Sequence, residues 1–222
     1  MAHRLVTSPP FAPAFRLAGR PGAELAALAA LIEADPDDLE SLLVVLAVTD
    51  RLARDAAAAF IALPPTTRYH GPGAAAVMMP FLHPHTSRFS SGRYGVLYGA
   101  ESTETAAAEV SHHHAHRLRA VRAPGGATVV LALWAFTVNT EVADLRGHAA
   151  AIYNPEDYRA AQSLGQRLRH QGAVGIRYRS VRRAPGECLG IFVPRVVDNM
   201  EKRDDWRLVW NGKAISEILR VA

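Results

Sequence analysis

The sequence predicts an α+β domain built on a mixed β-sheet, and three observations carry that prediction. Thr128–Val138 (TVVLALWAFTV) is nearly continuous in apolar and β-prone residues and reads as a buried central strand. From Thr66 onward, strand-like and helix-like stretches alternate without a regular βαβ period. Finally, 222 residues, 49% apolar and 21% charged, suffice for one substantial core plus an appendage.

Residues 1–20 are punctuated by Pro and Gly and read as an extended segment that wraps the domain. Pro21 opens a helix at its preferred first position, and Leu25, Leu28, Leu31 and Ile32 give it a 3.6-residue stripe. Asp35 caps a second helix with Leu39, Leu42, Leu43 and Leu46 on one face, and Thr49–Asp50 caps a third, through Ala56 and Phe60, or a bent continuation of the second. Pro64–Pro65 marks a boundary, so residues 1–63 form an N-terminal extended segment and helices packed on a main domain of residues 64–222. Within that domain, Gly95–Tyr98 reads as a buried strand. Ser102 is an N-cap for a helix running to about Leu118, with Glu104 in its first turn beside the positive end of the helix dipole. Residues 156–170 read as a helix with Asn154 as cap and Pro155 at N1. Gly175–Val181 and Cys188–Val196 are further strands. Trp206–Trp210 followed by Asn211–Gly212 reads as a type I′ hairpin, or as a turn before a terminal helix over Ile215–Arg220.

Composition narrows the function classes. No apolar run reaches the roughly 18 residues that span a bilayer, and no signal-peptide pattern is present, so a cytoplasmic protein away from membranes is expected. Cys188 is the single cysteine, which leaves no internal disulfide. The net charge of +4 comes from scattered arginines without a zinc knuckle or heptad-linked basic region, so an anionic small ligand or acidic partner accounts for it as well as nucleic acid does. Gly71–Pro72–Gly73 has a proline between its glycines and no strand before it, which excludes a Rossmann fingerprint.

The chain is organised around Ser87–His116 (SRFSSGRYGVLYGAESTETAAAEVSHHHAH). Glu109 falls one turn after Thr105 on a helix face otherwise lined by small alanines, behind a strand that ends in Tyr98. A carboxylate so placed reads as part of a pocket wall, although taken alone each of these residues has an ordinary structural reading. His112, His113, His114 and His116 crowd the same helix, with His83 and His85 on the preceding loop. H-x-x-x-H spacing can chelate zinc, but no third ligand or H-E-x-x-H base is evident, and a polar helix face with one histidine lining the cleft is the simpler reading.

Arg88, Tyr98 and Glu109, in the order R-F-S, G-V-L-Y, T-A-A-A-E, resemble the RES-domain family of bacterial toxins, named for an arginine, a glutamate and a serine. Gly175–Arg182 (GIRYRSVR) resembles the family's late G-I-x-Y-x-S-x-R strand, with Ser180 as the serine, and Arg68–Tyr69 matches an earlier arginine–tyrosine pair. The flanking segment from Gly71 and Asp144–Gly147 resemble the longer branch typified by ParT of the ParS–ParT pair, so the resemblance spans about Arg68 to Asn199. It implies a fold like the diphtheria-toxin-like ADP-ribosyltransferases, two small sheets around a cleft for NAD+ as substrate, with no metal. It assigns Arg68 and Arg88 to NAD+ binding, Tyr69 and Tyr98 to stacking and positioning, Glu109 to the central carboxylate and Ser180 to orientation. Arginine suits a diphosphate through bidentate charge-assisted bonds, and a fixed carboxylate stabilises the oxocarbenium-like transition state of nicotinamide–ribose cleavage. The resemblance further implies a toxin that ADP-ribosylates a host metabolic protein and is held in a hetero-oligomer by an Xre- or ParS-like antitoxin covering the cleft. The alternatives are NAD+ glycohydrolysis or phosphorolysis, a metal-dependent hydrolase on the histidine helix, or a non-catalytic binding module whose N-terminal helices carry the function.

Overall fold

The structure, a computed structural model, describes residues 6–19 and 58–221. The helices expected from Pro21 lie outside the described residues, apart from the end of the third, where residues 58–62 are helical. The strands are β1 (Thr7–Ser8), β2 (Ala14–Gly19), β3 (Thr86–Ser87), β4 (Ser90–Ser91), β5 (Leu97–Ala100), β6 (Thr128–Val138), β7 (Val142–Asp144), β8 (Gly175–Arg179), β9 (Glu187–Ile191), β10 (Val197–Trp210) and β11 (Ile215–Val221). The helices are α1 (Ala74–Leu82), α2 (Thr103–Ala120) and α3 (Arg159–His170). Among the described residues the main sheet is mixed, in the order β1-β7-β8-β9-β5-β2-β6-β10-β11, with β7–β8 parallel and the other pairs antiparallel; β3 and β4 form a separate small hairpin.

The sheet falls into two halves. β2 pairs with β6 along its whole length, from Ala14↔Phe136 to Gly19↔Leu131, but it meets β5 only at Phe15↔Ala100. On the other side β5 pairs with β9 from Leu97↔Ile191 to Ala100↔Cys188. The strands therefore touch at one residue pair and splay beyond it. Residues 6–19, which the sequence presents as an extended wrapping segment, supply β1 and β2, and β2 is an interior strand.

Apolar periodicity explains how the layers close. β6, as expected, is buried from Leu131 to Phe136. Under one face, α1 packs Val77, Met78 and Leu82 onto Leu97, Phe136 and Leu189. No helix is assigned there from sequence; Pro80 falls in the last turn of a helix that is apolar almost all round and buried accordingly. On the other face α2 packs Ala107 and Val110 against Leu17, Leu131, Leu133 and Leu208. α3 packs Ala161, Leu164 and Leu168 into a third cluster with Phe89, Leu145, Ile176 and Tyr178.

Three expectations change. The terminal helix over Ile215–Arg220 is instead strand β11, paired with β10. Asn211 Oδ1 accepts the backbone N–H groups of Lys213 and Ala214, both at 2.9 Å, and closes a four-residue loop from 211 to 214 with Gly212 at φ +95°, so the turn is not the two-residue type I′ form. α3 begins at Arg159, not at Glu156: Asn154 Oδ1 accepts the N–H groups of Glu156 and Asp157, and Asp157 Oδ1 accepts that of Arg159, so local side-chain turns replace the first helical turn.

Across β7, β8 and β9 an ion-pair chain reinforces the parallel junction. Arg146 Nη2 meets Asp144 at 2.6 Å and its Nη1 meets Glu187 at 3.2 Å, while Arg177 Nε meets Glu187 at 2.6 Å. The Arg146 hydrogen bonds hold the Asp144 carboxyl down at about 2.

Gly165 allows α3 to lie directly on the Arg88–Phe89–Ser90 loop. A Cβ there would stand 2.3 Å from the Phe89 carbonyl oxygen, a backbone atom that cannot swing aside. Gly165→Ala should therefore destabilise the protein by about 1–3 kcal/mol despite alanine's better helix propensity. A denaturant midpoint that does not fall would mean that this contact is not made.

Candidate active site

The seam between the two half-sheets opens into a cavity of about 590 Å³. β2 lines it from Phe15 to Gly19 and β5 from Tyr98 to Ala100; α2 adds Ala106, Glu109, Val110 and the histidines 112, 113, 114 and 116. The loop from His85 to Arg88, with Glu156, Tyr158, Tyr178 and Cys188, closes the rest.

The placement of Glu109 follows from how α2 begins. Ser102 is the N-cap, accepting from the Thr105 N–H at 3.2 Å. Glu101 locks that turn to β9: its Oε1 accepts from Thr105 Oγ1 at 2.7 Å and its Oε2 from the Glu187 N–H at 2.7 Å. Two turns on, Glu109 Oε1 accepts a 2.7 Å hydrogen bond from Ser180 Oγ, 71 residues away in sequence. Ser180 is itself fixed, since its N–H bonds Gly186 O at 2.8 Å and its Oγ accepts the N–H groups of Arg182 and Arg183, both at 3.1 Å. Cys188 Sγ lies 3.8 Å from the same carboxylate oxygen. Burial, and then the Glu109 charge, push the Cys188 thiol well up, so it stays protonated and is no nucleophile.

Arg88 is buried at the cavity wall. Its Nη1 donates to Asn154 O at 2.8 Å and Ile152 O at 3.3 Å, and its guanidinium lies 4.5 Å over the Tyr158 ring. Tyr98 Oη accepts the Phe89 N–H at 3.1 Å and shares a 2.9 Å hydrogen bond with Ser87 Oγ; burial pushes the phenol up and keeps it neutral. Arg88, Tyr98 and Glu109 thus share one cavity, with Ser180 directly behind Glu109.

Arg68 and Tyr69 are not brought there. Arg68 donates to Leu63 O at 3.0 Å and Ile61 O at 2.7 Å and stacks 5.2 Å from Phe60, while Tyr69 is buried in the α1 cluster and donates to Pro72 O at 3.0 Å. Tyr158 and Arg16 are among the cavity residues that sequence reasoning misses. Tyr158 carries no motif, and Arg16 sits in a stretch that reads only as extended; its side chain reaches across the seam, Nη1 donating to Tyr98 O at 3.2 Å.

The four histidines of α2 all border the cavity, and His113 and His116 are exposed to solvent as well. Arg182 Nη2 stands 2.8 Å from His112 Nε2 and 2.6 Å from Pro155 O. A guanidinium only donates, so His112 Nε2 accepts and the ring is neutral with its proton on Nδ1. Burial, and then the Arg182 charge, hold its pKa below the ordinary imidazole value. Among the described residues no three His, Cys, Asp or Glu side chains are grouped to hold a metal ion, and no helix there is long and apolar enough to cross a membrane.

Residues 63–211 match the family described as "RES domain". No curated protein matches the chain. Among solved structures it is similar to the crystal structure of the M. tuberculosis MbcT-MbcA toxin-antitoxin complex, with a TM-score of 0.46 and 14% sequence identity over 91% of this chain and 87% of that one.

The Arg182–His112 contact gives a titration with a defined sign. A folded-state pKa below the unfolded one means that unfolding binds protons, so this histidine lowers stability as pH falls below about 6.5 and contributes nothing above it. In ¹⁵N NMR, His112 should show an unprotonated Nε2 near neutral pH, and Arg182→Gln should move its titration up towards the ordinary value. An unchanged midpoint in that variant would refute the pairing.

Proposed function

The chain belongs to the RES domain family, and from that premise we propose that it cleaves NAD+ at the nicotinamide–ribose bond and transfers the ADP-ribosyl group to a protein of the host cell, as the toxin of a toxin–antitoxin pair. The observation that carries this reading is Glu109: a carboxylate on the wall of a 590 Å³ cavity, held from behind by Ser180 at 2.7 Å. The volume falls within the roughly 300–1,000 Å³ range of small-molecule and cofactor sites. Two half-sheets meeting at a cavity-forming seam also support an ADP-ribosyltransferase-like fold, with residues 64–222 as the catalytic domain, extended by β1 and β2.

In the proposed reaction the bond from ribose C1′ to the pyridinium nitrogen breaks, and its electron pair passes to that nitrogen. Nicotinamide leaves neutral and needs no proton. Positive charge appears on C1′ and the ring oxygen; the acceptor then forms its bond to C1′ and gives up a proton. A fixed carboxylate beside C1′ gains interaction energy as that charge develops, which accelerates the step. Ser180 holds Glu109 so that no reorientation is needed during bond breaking. Tyr98, whose hydroxyl is committed to Ser87 and Phe89, offers its ring for stacking. Arg88 contributes positive charge near the diphosphate and holds Tyr158 against the cavity. Arg68 and Tyr69 have no part in this reading, because their polar atoms are spent on backbone carbonyls away from the cavity.

An enzyme that consumes NAD+ damages the cell that makes it unless it is blocked. A cognate antitoxin covering the cavity mouth meets that need, and the reading implies a cytoplasmic toxin–antitoxin complex.

Incubating the protein and a host extract with NAD+ labelled in its adenylate part tests the reaction. Label on protein is the expected result; label in free ADP-ribose or in ADP-ribose phosphate would replace transfer by hydrolysis or phosphorolysis, and intact NAD+ would overturn the reading. Glu109→Gln is nearly isosteric and removes only the charge. It should lower turnover about a hundredfold, on the order of 3 kcal/mol, while leaving NAD+ affinity within a few-fold. Undiminished turnover in the Glu109→Gln variant would remove Glu109 from the chemistry.

A further inference from the structure

Arg16 lies outside the residues that match the family and inside the cavity. It stands on β2 at the seam, where the only register pair to β5 is Phe15↔Ala100. Its Nη1 is fixed by Tyr98 O at 3.2 Å, while its Nε is buried and has no hydrogen-bond partner among the described residues. Burial alone lowers its pKa, to about 10, with no carboxylate among the described residues close enough to offset the desolvation. A buried N–H without an acceptor and a desolvated cation without a counter-charge both cost free energy in the ligand-free protein. The charge cost is offset when a ligand in the cavity brings an anion to the guanidinium. Arg88, by contrast, already spends Nη1 on Ile152 and Asn154.

We propose that Arg16 is an anion-binding residue of the cavity whose guanidinium faces phosphoryl oxygens of a diphosphate, with Tyr98 O holding its Nη1 in register. This rests on the NAD+ reading for the identity of the ligand, in which the diphosphate is that of the dinucleotide. The N-terminal strand would then be part of the binding machinery, and a chain cut back to residues 63–211 would lack it.

The test measures calorimetric binding of three probes to the full chain: ADP-ribose, inorganic diphosphate and phosphate-free adenosine. Arg16→Met should weaken ADP-ribose roughly 10- to 100-fold, leave adenosine unchanged, and keep or raise the ligand-free melting temperature, because an uncompensated buried charge has been removed. A merely structural arginine would do the reverse, lowering the melting temperature with ADP-ribose affinity intact, and that result overturns the proposal. Should Arg16→Met fail to fold, Arg16→Lys carries the test. It keeps the charge and loses the planar fork, so at least a tenfold weakening is expected and unaltered affinity overturns the proposal. If the wild-type protein binds inorganic diphosphate through Arg16 but not ADP-ribose, the anion site stands and the NAD+ reading falls; if it binds neither, both fall.

Discussion

Ser180 Oγ has a single hydrogen, and the structure determines where it goes. The backbone N–H groups of Arg182 and Arg183 fill the lone-pair side of this hydroxyl, so its proton is committed to Glu109 Oε1. That hydrogen bond joins two parts of the chain built independently. On one side, α2 is held by its Ser102 cap and by the Glu101 carboxylate clamped to β9. On the other, the turn after β8 is tied through the Ser180 N–H to Gly186 O. Each anchor removes a degree of freedom from the carboxylate before any ligand arrives. Preorganisation of this kind lets a fixed charge act on a transition state without reorganisation at the moment of reaction.

The cavity exists because the sheet does not close. Had β2 and β5 paired along their full lengths, backbone hydrogen bonds would have sealed the space that Arg16 and Tyr98 now border. The splay leaves backbone groups to be satisfied otherwise, and Arg16 Nη1 on Tyr98 O is one such replacement. The two halves are kept from drifting apart by packing: Gly99 leaves no room for a side chain, since a Cβ there would stand 2.6 Å from Phe136 Cζ on the neighbouring half. A functional opening and a tightly packed joint are thus adjacent on the same strand.

How much of this is legible in the sequence depends on whether the signal is local. The β6 strand matches its apolar run residue for residue, and Ser102 is recognisable as an N-cap because capping is decided within four residues. The hairpin at Asn211–Gly212 is legible too, but the helical alternative for 215–220 is not a structure the chain adopts, since pairing to β10 decides that segment. The order of strands is not legible at all. Nothing in AFRLAG announces that it will sit between β5 and β6, and for that reason sequence alone does not place Arg16 in the site. Arg68–Tyr69 shows the converse: a motif at the right spacing whose polar atoms the fold turns to local carbonyls. The histidine row reads as a polar face with one histidine at the cleft, whereas four border the cavity, because helical periodicity says which residues share a side and not how far a cavity extends around it.

The polar groups around Glu109 also indicate what kind of chemistry the site is arranged for. Burial and the neighbouring carboxylate keep Cys188 protonated, Tyr98 is held neutral with its hydroxyl engaged, and His112 Nε2 is occupied by Arg182. Three side chains that elsewhere serve as nucleophile or proton carrier are here bound into the wall. What the wall presents instead is charge: one carboxylate fixed by a serine, and guanidinium groups held by carbonyls at Arg88 and Arg16. In the proposed reaction such a wall suits a barrier set by positive charge developing beside a fixed carboxylate, with a leaving group that departs without a proton.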